Sequence, residues 1–351
     1  MSVFDCSNDV RSFHDDEVKL SKSEQDEMRQ RRDVGRRRLE IGLDVEEHPQ
    51  PKMVHSQGSY SMWTMVQDDN CDYDIDDGVY FSKEDLVDDS GSDLAPKNAR
   101  QRVCDALARD NRFEDPAEVH NNCVRQIYAA GYHIDMPVYR ILVENKGKDD
   151  EKQTFELASG DKWMLSDARE TTKWFRKKVS ELNGQGGEDG NQMRRIVCMT
   201  KAFARSEEDW KEQTACGIVL TRLVFDELKS KPGRDDEALL ETWKAINKRL
   251  AISTKVDHPV NEAPLAVDGD KKIKFFQGKL AGALKSLEVL EQNDCTRAEA
   301  RDAWDSVFNT KYLGKLPDPS EPEGGKKALF VPTENKTDTR NDGNGRFGRN
   351  G

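Results

Sequence analysis

Six aspartates fall within residues 68–77, a segment that also carries strand-forming apolar side chains. Successive side chains of a β-strand point to opposite faces, so Asp74 and Asp76 share one face, whereas Ile75 and Asp77 take the other. Same-face neighbours lie about 6.5–7 Å apart, and crowded carboxylates repel one another unless a cation or a proton neutralises them. The spacing therefore predicts that Asp74 and Asp76 bind two hard divalent cations, Mg²⁺ or Mn²⁺.

Two such ions, about 3.5–4 Å apart, stabilise the attacking and leaving oxygens of an in-line phosphoryl displacement. A third carboxylate, Asp135, stands in the apolar segment YHIDMPVY, on the strand face that His133 shares. A lone aspartate in such a strand is costly unless it is paired or bound to metal. We expect Asp135 to complete the cation site, with a buried ion pair as the alternative. His133 is expected to be a packed strand histidine.

The other aspartates of the acidic segment have simpler interpretations. Asp68, Asp69 and Asp72 are expected in an exposed loop before the strand, and Asp77 in a structural role on the opposite face. A solvated acidic strand end is the alternative interpretation for the pair at 74 and 76.

Gly58 and Ser59 could supply the phosphate-binding half of the site. Glycine lets the backbone approach a triphosphate closely, and a serine hydroxyl with nearby N–H groups can hold phosphate oxygens. A Gly-Ser pair alone is a weak signal. It becomes specific when Asp74 and Asp76 follow about fifteen residues later and Asp135 follows some sixty residues after them.

Hydrophobic periodicity and turn signals predict the elements that position these residues. Residues 1–20 are expected to be irregular, and a capping box of Ser21 and Glu24 begins a long helix over 20–43. A turn or helix start is expected at Gly58–Ser59. Strands are predicted over 73–81, 122–130, 132–144 and 154–159, and helices over 95–110, 166–182, 192–205, 216–231, 235–251, 270–292 and 296–310, with a loop at 183–191.

These elements predict an α+β fold in which a lobe with a mixed central sheet precedes a helical lobe, joined by the long N-terminal helix. The predicted organisation is an irregular N-terminus at 1–20, a mixed α/β core at 21–165, a helical domain at 166–317 and a tail at 318–351. The tail is glycine-rich and cannot bury enough apolar surface to fold, so it is expected to be flexible.

The composition restricts the class of protein. The 351-residue chain has a net charge of −12, which disfavours a general binder of nucleic-acid backbones. Its seven cysteines are scattered and form no CxxC or Cys/His cluster, so a zinc ribbon is not expected. Without an apolar leader or membrane-length run, we expect a reduced, cytoplasmic protein. Six arginines within 29–38 are expected to pair with the acidic body; a surface for an anionic ligand is the alternative.

Five segments together resemble the bacterial cGAS/DncV-like nucleotidyltransferases, which belong to the polymerase-β-like superfamily. The resemblance covers roughly residues 20 to 316 and implies a polymerase-β-like nucleotidyltransferase lobe followed by a helical lobe. The segments are QGSYSMWT (57–64), DIDDGVYF (74–81), YHIDMPVY (132–139), WMLSDARETTKWF (163–175) and CGIVLTRL (216–223).

The resemblance also implies residue roles. Asp74, Asp76 and Asp135 would be the metal-binding catalytic residues, with Asp135 as the base that activates the acceptor hydroxyl. The implied nucleotide-binding residues are Gln57, Gly58 and Ser59 at the donor triphosphate, Lys201 at the donor phosphates, Ser166 at the opening of the helical lobe, and Cys216, which stands where many relatives have a serine. An aromatic residue that stacks on a base in some relatives is replaced by Met62, followed by Trp63.

The implied function is synthesis of a cyclic di- or trinucleotide second messenger from NTPs, with release of pyrophosphate and two Mg²⁺ or Mn²⁺ ions, in bacterial anti-phage signalling. ATP or GTP and a downstream cyclic-nucleotide-sensing effector are the implied partners. Conjugation through Gly351 by a ubiquitin-like E1/E2 machinery is a further implication, whereas a nucleic-acid activator or membrane partner is not expected. The alternatives are a linear-oligonucleotide synthase, a nucleotidyltransferase acting on RNA or protein, and a catalytically silent binding module.

Overall fold

The acidic segment forms strand β2 (Asp74–Ser82) inside a mixed sheet, in a computed structural model that describes residues 3–68, 74–109, 116–128, 131–148, 150–184 and 189–318. Ile75 and Asp77 are fully buried on one face of β2, and Asp74 and Asp76 lie half-buried on the other. The predicted alternation of this strand is therefore confirmed.

Both edges of β2 are paired. Strand β1 (Met53–Gln57), which the sequence did not predict, runs antiparallel along one edge. Strands β5 (His133–Met136) and β6 (Val138–Glu144) run parallel along the other edge in one common register. The single strand predicted over 132–144 is divided at Pro137, which has no N–H to donate; its carbonyl accepts a hydrogen bond from the Val79 N–H at 2.8 Å.

The remaining strands extend the sheet outward from β5 and β6. The four outer strands are β3 (Glu118–Val119), β4 (Val124–Ile127), β7 (Lys152–Ser159) and β8 (Lys162–Leu165). In the order β3-β4-β5, and again in the order β6-β7-β8, each neighbouring pair is antiparallel. β3 and β8 are additions to the predicted set.

Two long helices cover the face of the sheet that buries Ile75. α2 (Lys22–Val45) begins with the predicted capping box of Ser21 and Glu24 and packs against α4 (Pro96–Ala108). Their apolar side chains form one core with those of the sheet. α2 contacts both β2 and β5, and it therefore covers the buried face of the acidic strand.

The N-terminal prediction was wrong, because residues Ser7–Phe13 form helix α1 and a π-helical turn follows at His14–Val18. Cys6, Val10 and Phe13 form an apolar stripe at helical spacing, and all three are buried in the core of the helical part. The Phe13 ring lies 4.7 Å from that of Phe308, measured between centroids. This packing orders a segment whose many polar residues suggested an irregular structure.

The chain after the sheet is helical, as predicted, around a core that contains Phe203, Trp243 and Trp304. The helix predicted over 216–231 stops at Glu227, and the helix predicted over 270–292 ends in a 3₁₀ turn at Leu287–Glu291. The helix predicted over 192–205 begins earlier, at Asp189, inside the predicted 183–191 loop. The helices are α5 (Ala168–Asn183), α6 (Asp189–Ala204), α7 (Gly217–Glu227), α8 (Asp235–Leu250), α9 (Lys271–Ser286) and α10 (Arg297–Phe308).

The α+β fold class is confirmed, and residues 1–315 form one compact unit. The domain boundaries at 20/21, 165/166 and 317/318 remain predictions. From residue 319 onward the predicted tail, including Gly351, lies outside the described residues. Within the described ranges, no helix combines the length and apolar character needed to cross a membrane.

Candidate active site

A cleft of about 720 Å³ opens between the sheet and the helices. Its wall includes eight of the nine residues proposed from the sequence; Asp135 is the exception. The sheet side contributes Gln57, Gly58, Ser59, Asp74, Asp76, Arg125 and His133, and the helical side contributes Ser166, Lys201, Arg205, Lys211 and Cys216. The fold thus brings together residues that are up to about 160 positions apart in the chain.

The strand register places the acidic residues in two adjacent rows. Across β1, β2, β5 and β4, the residues paired in one row are Gln57, Asp76, Asp135 and Arg125. In the next row, Asp74 is paired with His133. Paired residues of neighbouring strands project to the same side of a sheet, so the three predicted carboxylates share one face.

Asp135 is held by basic neighbours. Arg125 Nε lies 2.8 Å from Oδ1 of Asp135, Arg125 Nη2 lies 2.7 Å from Oδ2, and His133 Nδ1 lies 3.1 Å from Oδ1. Burial alone would raise the pKa of Asp135, but the hydrogen bonds from His133 and Arg125 outweigh it and lower the pKa to about 2. In this arrangement Asp135 is ionised and is a weak proton acceptor.

Asp74 and Asp76 have the opposite electrostatic environment. Burial and the charge of Asp135 raise the pKa of Asp74. Burial and the charges of Asp74 and Asp135 raise the pKa of Asp76 well above its ordinary value. The positive groups nearby do not offset these effects, and a bound cation would do so.

The donor atoms fit a divalent cation. Asp74, His133 and Asp135 each offer one ligand atom, and these atoms lie within 4.8 Å of one another. Asp76 is next to this group in the strand register. His133 was expected only to pack, yet its place two residues before Asp135 on the same strand face was a signal that it faces the site.

Gly58 fits its position because of conformation and space. It begins the short helix α3 (Gly58–Met62) with a φ of +63°, which favours glycine. A Cβ at this position would overlap Oδ2 of Asp76 and would lie 3.1 Å from Asp76 Cγ. Ser59 follows on the cleft wall. The glycine thus lets the predicted phosphate-binding turn lie directly against the acidic strand.

The Gln57 side chain is buried and hydrogen-bonded to the hydroxyls of two stacked tyrosines. Its Nε2 donates to the Tyr139 hydroxyl at 3.0 Å, and the Tyr80 hydroxyl donates to its Oε1 at 3.0 Å. Tyr80 and Tyr139 stack with centroids 4.4 Å apart. These bonds fix the end of β1 beside Asp76, and contact of Gln57 with a triphosphate remains a prediction.

Three predicted residues lie on the helical side. Lys201 on α6 is buried, its Nζ donates to the Thr64 carbonyl at 2.9 Å, and burial lowers its pKa. Cys216 is the exposed N-cap residue of α7. The Ser166 N–H donates to the Phe155 carbonyl at 3.0 Å. All three line the cleft, and their contacts with nucleotide remain predictions.

The expectation that Asp68 lies in an exposed loop was wrong, because its side chain is only 4% exposed. Arg205 Nη2 lies 3.1 Å and Lys211 Nζ 3.0 Å from its Oδ2. Both basic side chains line the cleft, and neither they nor Arg125 were predicted as site residues from the sequence. Asp69 and Asp72 lie outside the described residues.

Asp77 has the structural role expected of it. It is fully buried, its Oδ2 accepts from Arg36 Nε at 2.7 Å, and its Oδ1 accepts from the Ser56 hydroxyl at 2.8 Å. Arg38 instead donates to the Leu107 carbonyl at 2.6 Å. Part of the arginine cluster therefore anchors α2 to the body of the protein.

Comparison with known proteins agrees with this geometry. Residues 52–139 match the family model described as "Cyclic GMP-AMP synthase DncV-like, nucleotidyltransferase domain", a range that contains Gly58, Ser59, Asp74, Asp76 and Asp135.

Solved structures share the fold over most of the chain. Escherichia coli DncV in a 3′-deoxy GTP bound form has a TM-score of 0.63 and 21% identity, covering 85% of this chain and 93% of its own. Vibrio cholerae DncV cyclic AMP-GMP synthase with the linear intermediate 5′ pppA(3′,5′)pG has a TM-score of 0.66 and 17% identity, covering 88% and 96%. Bradyrhizobium diazoefficiens CD-NTase CdnG with GTP has a TM-score of 0.64 and 14% identity, covering 88% and 96%.

Proposed function

We propose that this chain is a cGAS/DncV-like nucleotidyltransferase, and that it joins NTPs into a cyclic di- or trinucleotide and releases pyrophosphate. The observation that carries the proposal is the placement of Asp74 and Asp76 on the cleft face of β2, with Asp76 directly against Gly58. A cyclic AMP-GMP synthase with the same fold, from Vibrio cholerae, supports a cyclic product.

The cleft contains the charges that this chemistry needs. Divalent Mg²⁺ or Mn²⁺ ions, two in number by the resemblance, would be held by Asp74 and Asp76 with Asp135, and would stabilise negative charge on the reacting phosphate oxygens. On the helical wall, Lys201 adds a positive charge that suits the phosphates of a donor NTP. The acidic part of the cleft thus suits the divalent cations, and the basic part suits the phosphates of the donor NTP.

The chain's own residues position the reactants. The Ser59 hydroxyl and the backbone around Gly58 bind donor phosphates, and the acceptor nucleotide lies so that its ribose hydroxyl reaches the donor α-phosphorus. The new bond joins the ribose oxygen to that phosphorus as the bond to the β-phosphate oxygen breaks, and pyrophosphate leaves. A second transfer within the linear intermediate closes the ring.

The acceptor hydroxyl must also lose its proton. Asp135 is the proposed proton acceptor, but its low pKa and its pairing with Arg125 make it a weak base in the arrangement described. Asp135 can take this role only after the guanidinium has moved away from it.

The substrates and setting are extensions of the same proposal. GTP or its 3′-deoxy form is named in the related Escherichia coli and Bradyrhizobium structures, and ATP or GTP is the proposed substrate here. Anti-phage signalling through a sensing effector follows from the resemblance, and a cytoplasmic setting remains an expectation from the sequence. A linear-oligonucleotide synthase is the nearest rival, and a catalytically silent module is the rival from another class.

The test compares an Asp74→Asn, Asp76→Asn double variant with the wild type in a pyrophosphate-release assay with all four NTPs. We expect a loss on the order of a hundredfold or more, because the variant keeps the shape of the side chains but loses both negative charges. A matched control is the Asp161→Asn, Asp302→Asn double variant, at two exposed surface positions. A double variant at 74 and 76 that releases pyrophosphate at the wild-type rate would overturn the proposal.

A further inference from the structure

The Asp135 carboxylate is already occupied by a guanidinium. Arg125 reaches one oxygen through Nε and the other through Nη2, in the two-pronged geometry that is strongest for an arginine–carboxylate pair. We propose that Arg125 is a positioning residue that holds Asp135 until a divalent cation displaces it, and that it thereby sets the affinity of the site for that cation. This inference rests on the proposed function, because it takes the cation of that function as the competing ligand.

The competition follows from charge. The carboxylate has lone pairs beyond those used by the guanidinium. However, a cation bonded to either oxygen would lie close to the positive charge of Arg125, and the two charges would repel each other. Asp135 can therefore bind a cation tightly only if Arg125 moves away.

The fold lets Arg125 move without disrupting the core. Arg125 and Asp135 are direct partners on the antiparallel strands β4 and β5, so the pairing is set by the sheet register. The Arg125 side chain is 30% exposed and lines the cleft, whereas the Asp135 side chain is 7% exposed. The guanidinium thus has open space in front of it, and the carboxylate remains fixed.

The other two carboxylates lack such a partner. Asp74 and Asp76 line the cleft, and within the described residues neither carboxylate shares a hydrogen bond or an ion pair with a basic side chain. The site therefore divides into a pair of carboxylates that is ready for a cation and a third that Arg125 withholds. Cation binding that involves Asp135 should therefore be weaker than cation binding by Asp74 and Asp76 alone.

The test is a Mn²⁺ titration of the full chain without nucleotide, with free Mn²⁺ measured by electron paramagnetic resonance. We expect Arg125→Gln to lower the Mn²⁺ dissociation constant about tenfold, which corresponds to about 1.4 kcal/mol. Arg125→Lys keeps the charge but loses the two-pronged geometry, so its gain in affinity should be smaller. A residue with a merely structural role would weaken Mn²⁺ binding when replaced.

A charge-matched control separates this effect from the general field of the cleft. Arg205→Gln removes one positive charge from the same cleft, but that arginine forms its ion pair with Asp68 rather than with Asp135. We expect its Mn²⁺ dissociation constant to stay within about twofold of the wild-type value. Equal gains in Arg125→Gln and Arg205→Gln would overturn the inference, as would unchanged or weaker Mn²⁺ binding in Arg125→Gln.

The same titration distinguishes failure of the inference from failure of the proposed function. If Mn²⁺ binding is lost in the Asp74→Asn, Asp76→Asn variant but is insensitive to Arg125, the inference fails and the function stands. If the wild type shows no Mn²⁺ binding that depends on Asp74 and Asp76, the cation site of the proposed function itself fails. Should Arg125→Gln not fold, Arg125→Lys decides the question, because it must still bind Mn²⁺ more tightly than the wild type.

Discussion

Replacing Gly58 with alanine tests how closely the phosphate-binding turn and the acidic strand depend on each other. The backbone at Gly58 has a φ of +63°, where an L side chain costs about 1–2 kcal/mol. The new Cβ would also overlap Oδ2 of Asp76, and overpacking of this kind costs about 1–3 kcal/mol. Gly233 provides a matched control, because its φ is +74° and a Cβ there would meet nothing within 4 Å.

Gly233→Ala should therefore show the backbone strain alone, and Gly58→Ala should show the strain together with the displacement of Asp76. We expect urea unfolding to give a loss of about 1–2 kcal/mol for the control and of about 2–5 kcal/mol for Gly58→Ala. In a pyrophosphate-release assay at saturating NTP, the control should keep its activity. Gly58→Ala should lose about a hundredfold, because a shift near 1 Å in a reacting group has that effect.

The comparison has a clear refuting result. If Gly58→Ala and Gly233→Ala lose the same stability and both retain activity, Asp76 does not need the space that glycine leaves. The proposed contact between the phosphate-binding turn and the cation site would then be wrong.

Three further predictions follow from buried charges. Arg36→Gln should lower the free energy of unfolding in urea by about 3 kcal/mol, because it leaves the buried Asp77 without its charged partner. The control Arg37→Gln, at an exposed position, should change that free energy by less than about 0.5 kcal/mol, and equal values for the two variants would contradict the prediction. Burial would raise the pKa of Asp235, but hydrogen bonds from its arginine and glutamine partners hold that pKa below the ordinary 3.8. The ionised Asp235 therefore stabilises the fold above pH 3.8, and this stabilisation is lost as the pH falls through the lowered pKa. The free energy of unfolding of Asp235→Asn should decline less steeply in acid than that of the wild type, and an unchanged slope would refute the prediction. Burial lowers the pKa of Lys201 below 10.5, so the affinity for NTP should fall as the pH rises through that lowered value. Lys201→Arg should retain its NTP affinity to higher pH. The same pH dependence of NTP affinity in both proteins would count against a phosphate contact of Lys201.

Sequence periodicity was sufficient to predict features that depend on one strand or one helix end alone. The alternation of strand side chains placed Asp74 and Asp76 on one face and Asp77 on the other without knowledge of any neighbour. The capping box of Ser21 and Glu24 was equally local, and the structure confirms it.

Features that depend on distant partners could not be found in this way. Asp68 looks like a loop residue until Arg205, 137 positions later, folds against it. Arg125 is an unremarkable strand residue in the sequence, and only the pairing of β4 with β5 brings it onto Asp135. The helix at Ser7–Phe13 is stable because it packs on the helical core, and its three-residue apolar stripe is too short to predict it.

The most direct test of the central claim is mass spectrometry of the phosphatase-treated product formed from each combination of labelled NTPs with Mg²⁺ or Mn²⁺. We predict a phosphatase-resistant product that contains two or three nucleotides, and that is absent when the cation is chelated and when Asp74 and Asp76 are both replaced by asparagine. A product that the double variant also makes would contradict the proposed site, and a product trimmed by phosphatase would contradict ring closure. No product from any combination of NTPs would contradict the claim that this chain transfers nucleotides.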